Sequence, residues 1–129
     1  VSAAEKHEGV TLLKLKLRNG ARLEERITDF IKENDIDGVV ALNEAAAVTS
    51  INVFNKLGYK VPNDIAVIGF SDGQFAKYTY PALTTISQHS KRLGRTAAKI
   101  LIDKLELRAK TYLPKTTVIK TSIAEREST

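Results

Sequence analysis

The sequence predicts an α/β fold, a doubly wound parallel sheet, on three observations. Two short, continuous apolar runs, Val39-Val40-Ala41-Leu42 and Ile65-Ala66-Val67-Ile68-Gly69-Phe70, read as strands buried on both faces. Segments with apolar residues at helical spacing precede and separate them. The connections are short, so strands joined through helices are expected to run parallel with right-handed crossovers. The two runs are therefore expected side by side at the centre of the sheet.

Val10 to Leu17 reads VTLLKLKL, with Leu13, Leu15 and Leu17 alternating against Lys14 and Lys16, which is the period of a strand with one drier face. Arg18-Asn19-Gly20 breaks it. Leu23, Ile27, Phe30 and Ile31 then recur at helical spacing, with charged residues on the other face, until about Asn34. After the run 39–42, Asn43-Glu44 leads into an alanine-rich helix to Leu57, with Ala47, Val48, Ile51 and Phe54 on one face. Gly58 stands where a helix C′ glycine belongs, and Pro62 blocks continuation.

The second apolar run closes on Ser71-Asp72-Gly73, and Gln74 to Pro81 reads as an irregular, aromatic loop. Thr84-Thr85-Ile86 is a short extended piece. Ser90 suits the N-cap of a long helix whose Leu93, Ala97, Ile100, Leu101 and Leu105 predict a buried stripe. After Pro114, the β-branched stretch Thr116 to Ile123 predicts a last strand, and Glu125 to Thr129 is expected to fray.

With 129 residues the chain has room for one domain. It is 43% apolar and 27% charged, the balance of an ordinary soluble protein. No cysteine is present, which excludes disulfides, thiolate nucleophiles and cysteine-ligated metals. Two histidines, His7 and His89, make a histidine metal site improbable, and no cofactor is implied. No run approaches the roughly 18 apolar residues of a membrane span, and nothing resembles a signal peptide at the start. The net charge is +5, but Lys and Arg are dispersed among Glu and Asp, which favours a solvated surface over direct nucleic-acid binding.

Open parallel sheets bind ligands beyond the carboxyl ends of their strands. The residues predicted there are polar: Arg18 and Asn19, Asn43 and Glu44, and Ser71 and Asp72. An amide that donates and accepts, beside carboxylates that accept hydroxyl hydrogens, suits a neutral polyol or sugar better than a phosphate. Asn43 can equally be a helix cap, and Asp72-Gly73 a turn. Neither a Walker A nor a G-x-G-x-x-G pattern is present, and the acidic cluster of a phospho-receiver domain is missing from the first strand.

Gly69-Phe70-Ser71-Asp72-Gly73 matches the G-x-S-x-G elbow of α/β-hydrolases. That elbow needs a helix at once after the serine, and an acid then a histidine later in the chain. Gln74 to Pro81 reads as loop, and no histidine follows His89. A serine esterase is thus the weakest reading, and the chain is expected not to be an enzyme.

Val61-Pro62-Asn63-Asp64 running into the 65–72 segment, with Pro81-Ala82-Leu83-Thr84-Thr85-Ile86-Ser87-Gln88, resembles the LacI/GalR family of bacterial transcription regulators. Leu93-Gly94-Arg95 with Ala97-Ala98 fits the helix that follows in that family, and Asp37 to Glu44 fits the preceding strand and helix start. The resemblance implies a periplasmic-binding-protein-like effector domain, of which this chain would be a C-terminal part within residues 1–129. Residues 84 to about 107 would cross to the neighbouring subdomain. It also implies cytoplasmic sugar sensing, with operator DNA bound through a headpiece that nothing here resembles. A periplasmic sugar-binding protein is the alternative.

By the same resemblance, effector contacts fall on Asn43, with Glu44 beside it, and on Ser71, where the family usually has Asp. Asp72 stands where a second acidic residue often lies. Phe75, Tyr78 and Tyr80 on the loop, with Val48 and Ile51 on the helix before it, would pair protomers into a homodimer.

Overall fold

The computed structural model describes residues 9–16, 22–106 and 115–129, in two units, Val1–Asp35 and Ile36–Thr129. In the first, helix α1 (Leu23–Glu33) carries Glu24 and Glu25 in its first turn and Lys32 in its last, which complements the helix dipole. Ile27 and Ile31, four residues apart, are its buried residues. The Asn34 amide donates back to the Phe30 carbonyl at 2.8 Å where the helix ends.

The second unit is built on four strands in the order β1 (Gly38–Ala41), β2 (Ala66–Phe70), β3 (Thr84–Ser87) and β4 (Ser122–Ala124). β1 and β2 are parallel in the register Val39 to Val67 and Ala41 to Gly69. β2 and β3 are also parallel, and β4 closes the sheet antiparallel to β3. Helix α2 (Glu44–Leu57) is the crossover from β1 to β2. Its Asn43 cap accepts from the Ala46 amide at 2.8 Å, and it ends on Gly58 at φ +86°, where the glycine amide donates to Asn55 and Phe54 carbonyls.

The core lies between α2 and one face of the sheet. Ala47, Ile51, Val53 and Phe54 of the helix are buried, as are Ile65, Val67 and Leu83. Gly69 sits at the closest approach: a Cβ there would stand 3.1 Å from both the Ala47 Cβ and the Leu83 Cδ2. Phe54 also meets Tyr59 edge-on, with ring centroids 6.5 Å apart.

Four expectations are corrected. Residues 10–16 are not a strand, and Leu17, like Arg18 and Asn19, lies outside the described residues. Alternation provides a dry face but no hydrogen-bond partner, and a strand needs both. β1 is accordingly an edge of the described sheet rather than a central strand, and Val40 is 68% exposed. Burial alternates along β2, and within this unit α2 covers one face of the sheet. Helix α3 (Ser90–Glu106) includes Ser90 as its first residue, and none of its residues is buried. Its stripe of Leu93, Leu101 and Leu105 faces solvent, since amphipathicity sets which side is apolar but not what packs there.

The carboxyl-terminal tail reverses the fourth expectation. The last strand is confined to Ser122–Ala124, and the residues after it are the best anchored of the tail. Ser128 is fully buried: its hydroxyl donates to the Val67 carbonyl at 2.6 Å and accepts from the Thr84 amide at 2.8 Å. Its carbonyl takes the Val67 amide, while the Glu127 amide donates to Ala82. The tail thus fills the gap between β2 and the approach to β3. Leu107 and Pro114 lie outside the described residues, among which no helix is long and apolar enough to cross a membrane.

Candidate functional site

Parallel β1 and β2 deliver their carboxyl ends side by side, and four predicted site residues follow directly: Asn43 and Glu44 after β1, Ser71 and Asp72 after β2. Asn43 uses its Oδ1 as the α2 cap, a bond that leaves the two donors of its amide nitrogen uncommitted. Ser71 takes a left-handed φ of +84°, and its amide donates to the Ile86 carbonyl at 3.1 Å. That turn reverses the chain after β2 and folds Asp72 back toward β3.

Asp72 is held rather than free. Its Oδ1 accepts from the Thr85 hydroxyl at 2.9 Å and from Arg126 Nη2 at 2.7 Å. The Arg126 hydrogen bond lowers the Asp72 carboxyl below its ordinary value of 3.8; partial burial opposes this, and the Thr85 bond and the charges of Arg126 and Lys77 assist. Arg126 Nη1 donates as well to the Leu83 carbonyl at 2.6 Å and to Thr85 Oγ1 at 3.1 Å. The Arg126 side chain is 15% exposed and that of Asp72 28%. This pair locks the Ser71–Gly73 loop to β3 and the tail.

Glu44 is likewise engaged. Its Oε1 accepts the Ala76 amide at 2.9 Å, and its carboxylate occupies the space that a side chain at Gly73 would need. Ala76 belongs to a single 3-10 turn, Phe75–Lys77, inside the segment predicted as irregular. Beside it an open cleft of about 440 Å³ is lined by Glu44, Ala45, Val48 and Thr49 of α2 and by Phe75, Tyr78 and Thr79.

The aromatic residues of the turn point outward: Tyr78 is 84% exposed and Tyr80 88%, and Phe75 is more than half exposed. Val48 is half-buried at the cleft. Ile51, 1% exposed, is a core residue, so the expectation that it pairs protomers is corrected: its side of α2 is spent on the sheet.

Sequence reasoning missed Arg126, Thr85 and Ser128. A lone arginine in a short polar tail carries no periodic signal, and its partners are about 40 residues or more away in sequence. The esterase geometry is not formed. No α-helix starts directly after Ser71, and His89 Nε2 lies 3.1 Å from the Ser122 hydroxyl instead.

A family model described as a periplasmic binding protein-like domain matches residues 3–129. The transcriptional regulator GalR of Streptococcus thermophilus is 31% identical over 121 residues, covering 94% of this chain and 32% of that protein. The solved complex of the transcriptional regulator CelR with cellobiose has a TM-score of 0.74 at 27% identity, over 83% of this chain and 32% of that one. A LacI family regulator from Enterococcus faecium with bound ribose has a TM-score of 0.69 at 30% identity, over 82% and 39%. The chain spans about a fifth to a third of the length of the curated relatives it matches, and these are transcription regulators, not enzymes. The chain belongs to the periplasmic-binding-protein-like domain family, in the form carried by LacI/GalR-type regulators.

Proposed function

We propose that this chain supplies one wall of a sugar-effector site, and a dimerisation surface, to a cytoplasmic LacI-type regulator that binds its operator DNA through a separate headpiece. The observation that carries the reading is the meeting of Asn43 and Ser71 at the carboxyl ends of adjacent parallel strands. Asn43 brings amide donors and Ser71 a hydroxyl, which suit neutral sugar hydroxyls. Asp72 supports Ser71 from behind, because its carboxylate is already paired with Arg126. The relatives with bound cellobiose and ribose support a sugar as the effector class. Phe75, Tyr78 and Tyr80, large aromatic residues exposed together beside a cleft, support pairing with a second copy. Residues 84 to about 107 are proposed to lead toward a neighbouring subdomain, and the exposed apolar stripe of α3 supports this.

A two-walled site of about micromolar affinity is worth roughly 8 kcal/mol, so one wall retaining half of it binds at about millimolar. Water competing across the open side weakens it further. Calorimetry of the chain against ribose, galactose, lactose and cellobiose tests this. Millimolar or weaker binding is expected. Micromolar binding of any of them overturns the one-wall reading, and no binding at the highest soluble concentrations overturns the sugar reading. DNA binding by the chain is expected to be weak and strongly salt-dependent, reflecting only its net charge of +5.

A further inference from the structure

We infer that Glu44 is a positioning residue rather than a sugar ligand: its carboxylate ties the aromatic turn at Phe75–Tyr78 to the loop carrying Ser71, so that the sugar wall and the pairing surface keep one relative geometry. The inference rests on the functional reading above for what the two surfaces do, but the strut itself stands on contacts within the chain.

Glu44 is the first residue of α2, and its backbone is fixed by the Asn43 cap immediately before it. From there the side chain reaches Ala76, whose amide donates to Oε1 at 2.9 Å. Ala76 is fully buried and is the hinge of the turn, because its carbonyl accepts the Leu83 amide at 2.8 Å and the Thr79 hydroxyl at 3.2 Å. The same carboxylate packs against Gly73, two residues after Ser71, so closely that any Cβ there would strike it. One side chain therefore touches the loop at Gly73 and again at Ala76, between the proposed sugar contact and the exposed aromatics.

The length of glutamate is what allows this. Alanine reaches neither contact, while glutamine keeps an oxygen that can accept the Ala76 amide. Glycine at 73 is the second requirement, since alanine there displaces the carboxylate even though Glu44 is intact. Glu44 and Gly73 should thus behave as one unit, and their substitutions should not add.

The test compares the wild-type chain with Glu44→Ala, Glu44→Gln, Gly73→Ala and the Glu44→Ala/Gly73→Ala pair, by amide hydrogen exchange at Ala76 and by sedimentation. Protection of the Ala76 amide should fall about tenfold or more in Glu44→Ala and in Gly73→Ala, stay near wild type in Glu44→Gln, and fall no further in the pair. The self-association constant should weaken in the same order while the circular dichroism spectrum stays native. Unchanged Ala76 protection in folded Glu44→Ala, or losses that add in the pair, overturns the strut. Altered protection with unaltered self-association overturns its link to the pairing surface. A wild-type chain that never self-associates contradicts the dimer reading instead, and the exchange data then decide the strut alone.

Discussion

Replacing Arg126 with alanine removes three side-chain hydrogen bonds: to Leu83 O at 2.6 Å, to Thr85 Oγ1 at 3.1 Å and to Asp72 Oδ1 at 2.7 Å. The two bonds to neutral acceptors are worth about 1 kcal/mol each in net terms. The ion pair is partly open to solvent, so it is counted as about 1 kcal/mol rather than as a buried pair. Water recovers part of the total, which leaves a loss of about 2–3 kcal/mol. For a unit of this size that lowers the unfolding midpoint by roughly 10–20 °C. Thermal melts followed by circular dichroism read it directly, and Arg126→Lys should fall in between, because an ammonium cannot fork between three acceptors.

The pH dependence of this loss has a fixed sign. The Asp72 carboxyl is lowered in the folded chain, chiefly by the Arg126 hydrogen bond. Its contribution to stability is therefore fully present above the unfolded carboxylate value of about 4, and is lost as pH falls through the lower folded value. The gap between wild type and Arg126→Ala should be widest near neutral pH and narrow below about pH 4. A melting loss under about 3 °C at pH 7, or a gap that widens in acid, refutes the account of the clasp.

Three further outcomes are expected. Ser128→Ala strands the buried Val67 carbonyl and Thr84 amide, and should cost about 2–3 kcal/mol in denaturant unfolding, although it lies one residue from the end. Gly69→Ala places a methyl 3.1 Å from the fully buried Ala47 and Leu83, which must shift to admit it, and should destabilise by about 1–3 kcal/mol in the same measurement. Asn43→Asp keeps the oxygen that caps α2 but deletes the amide donors, so thermal stability should stay within about 0.5 kcal/mol while the calorimetric response to sugar is lost; Asn43→Ala should lose both, with about 1 kcal/mol of stability.

The centre of the fold is legible in the sequence because its signals are local. The apolar runs at 39–42 and 65–70 give the adjacent strands β1 and β2, the first at the edge of the described sheet rather than its centre, and the Asn43 cap and Gly58 each carry their own physical reason. The parallel pairing of β1 and β2 follows from the helix between them. What was not legible depends on partners distant in sequence. The alternation at 10–16 specifies a face but no neighbour. The α3 stripe specifies an apolar side but not its cover. The tail shows a third limit: Arg-Glu-Ser-Thr is polar, short and aperiodic, yet Ser128 bridges Val67 and Thr84 and Arg126 holds Asp72.

The candidate site divides along the same line. Asn43, Glu44, Ser71 and Asp72 are placed at the carboxyl ends of the strands by topology alone, so sequence order sufficed to bring them to one end of the sheet. Their individual roles were not readable, because those depend on which atom each side chain has already committed. Arg126 engages Asp72 Oδ1 and the Ala76 amide engages Glu44 Oε1, which is why Asn43 and Ser71 are the residues proposed as the wall.

A titration of the isotopically labelled chain with cellobiose and with ribose, followed residue by residue by nuclear magnetic resonance, tests that wall most directly. Saturable shifts at the Asn43 side-chain amide and the Ser71 backbone amide, with a dissociation constant of about millimolar, are what the account predicts. Shifts confined to other residues, or saturation at micromolar sugar, would contradict it.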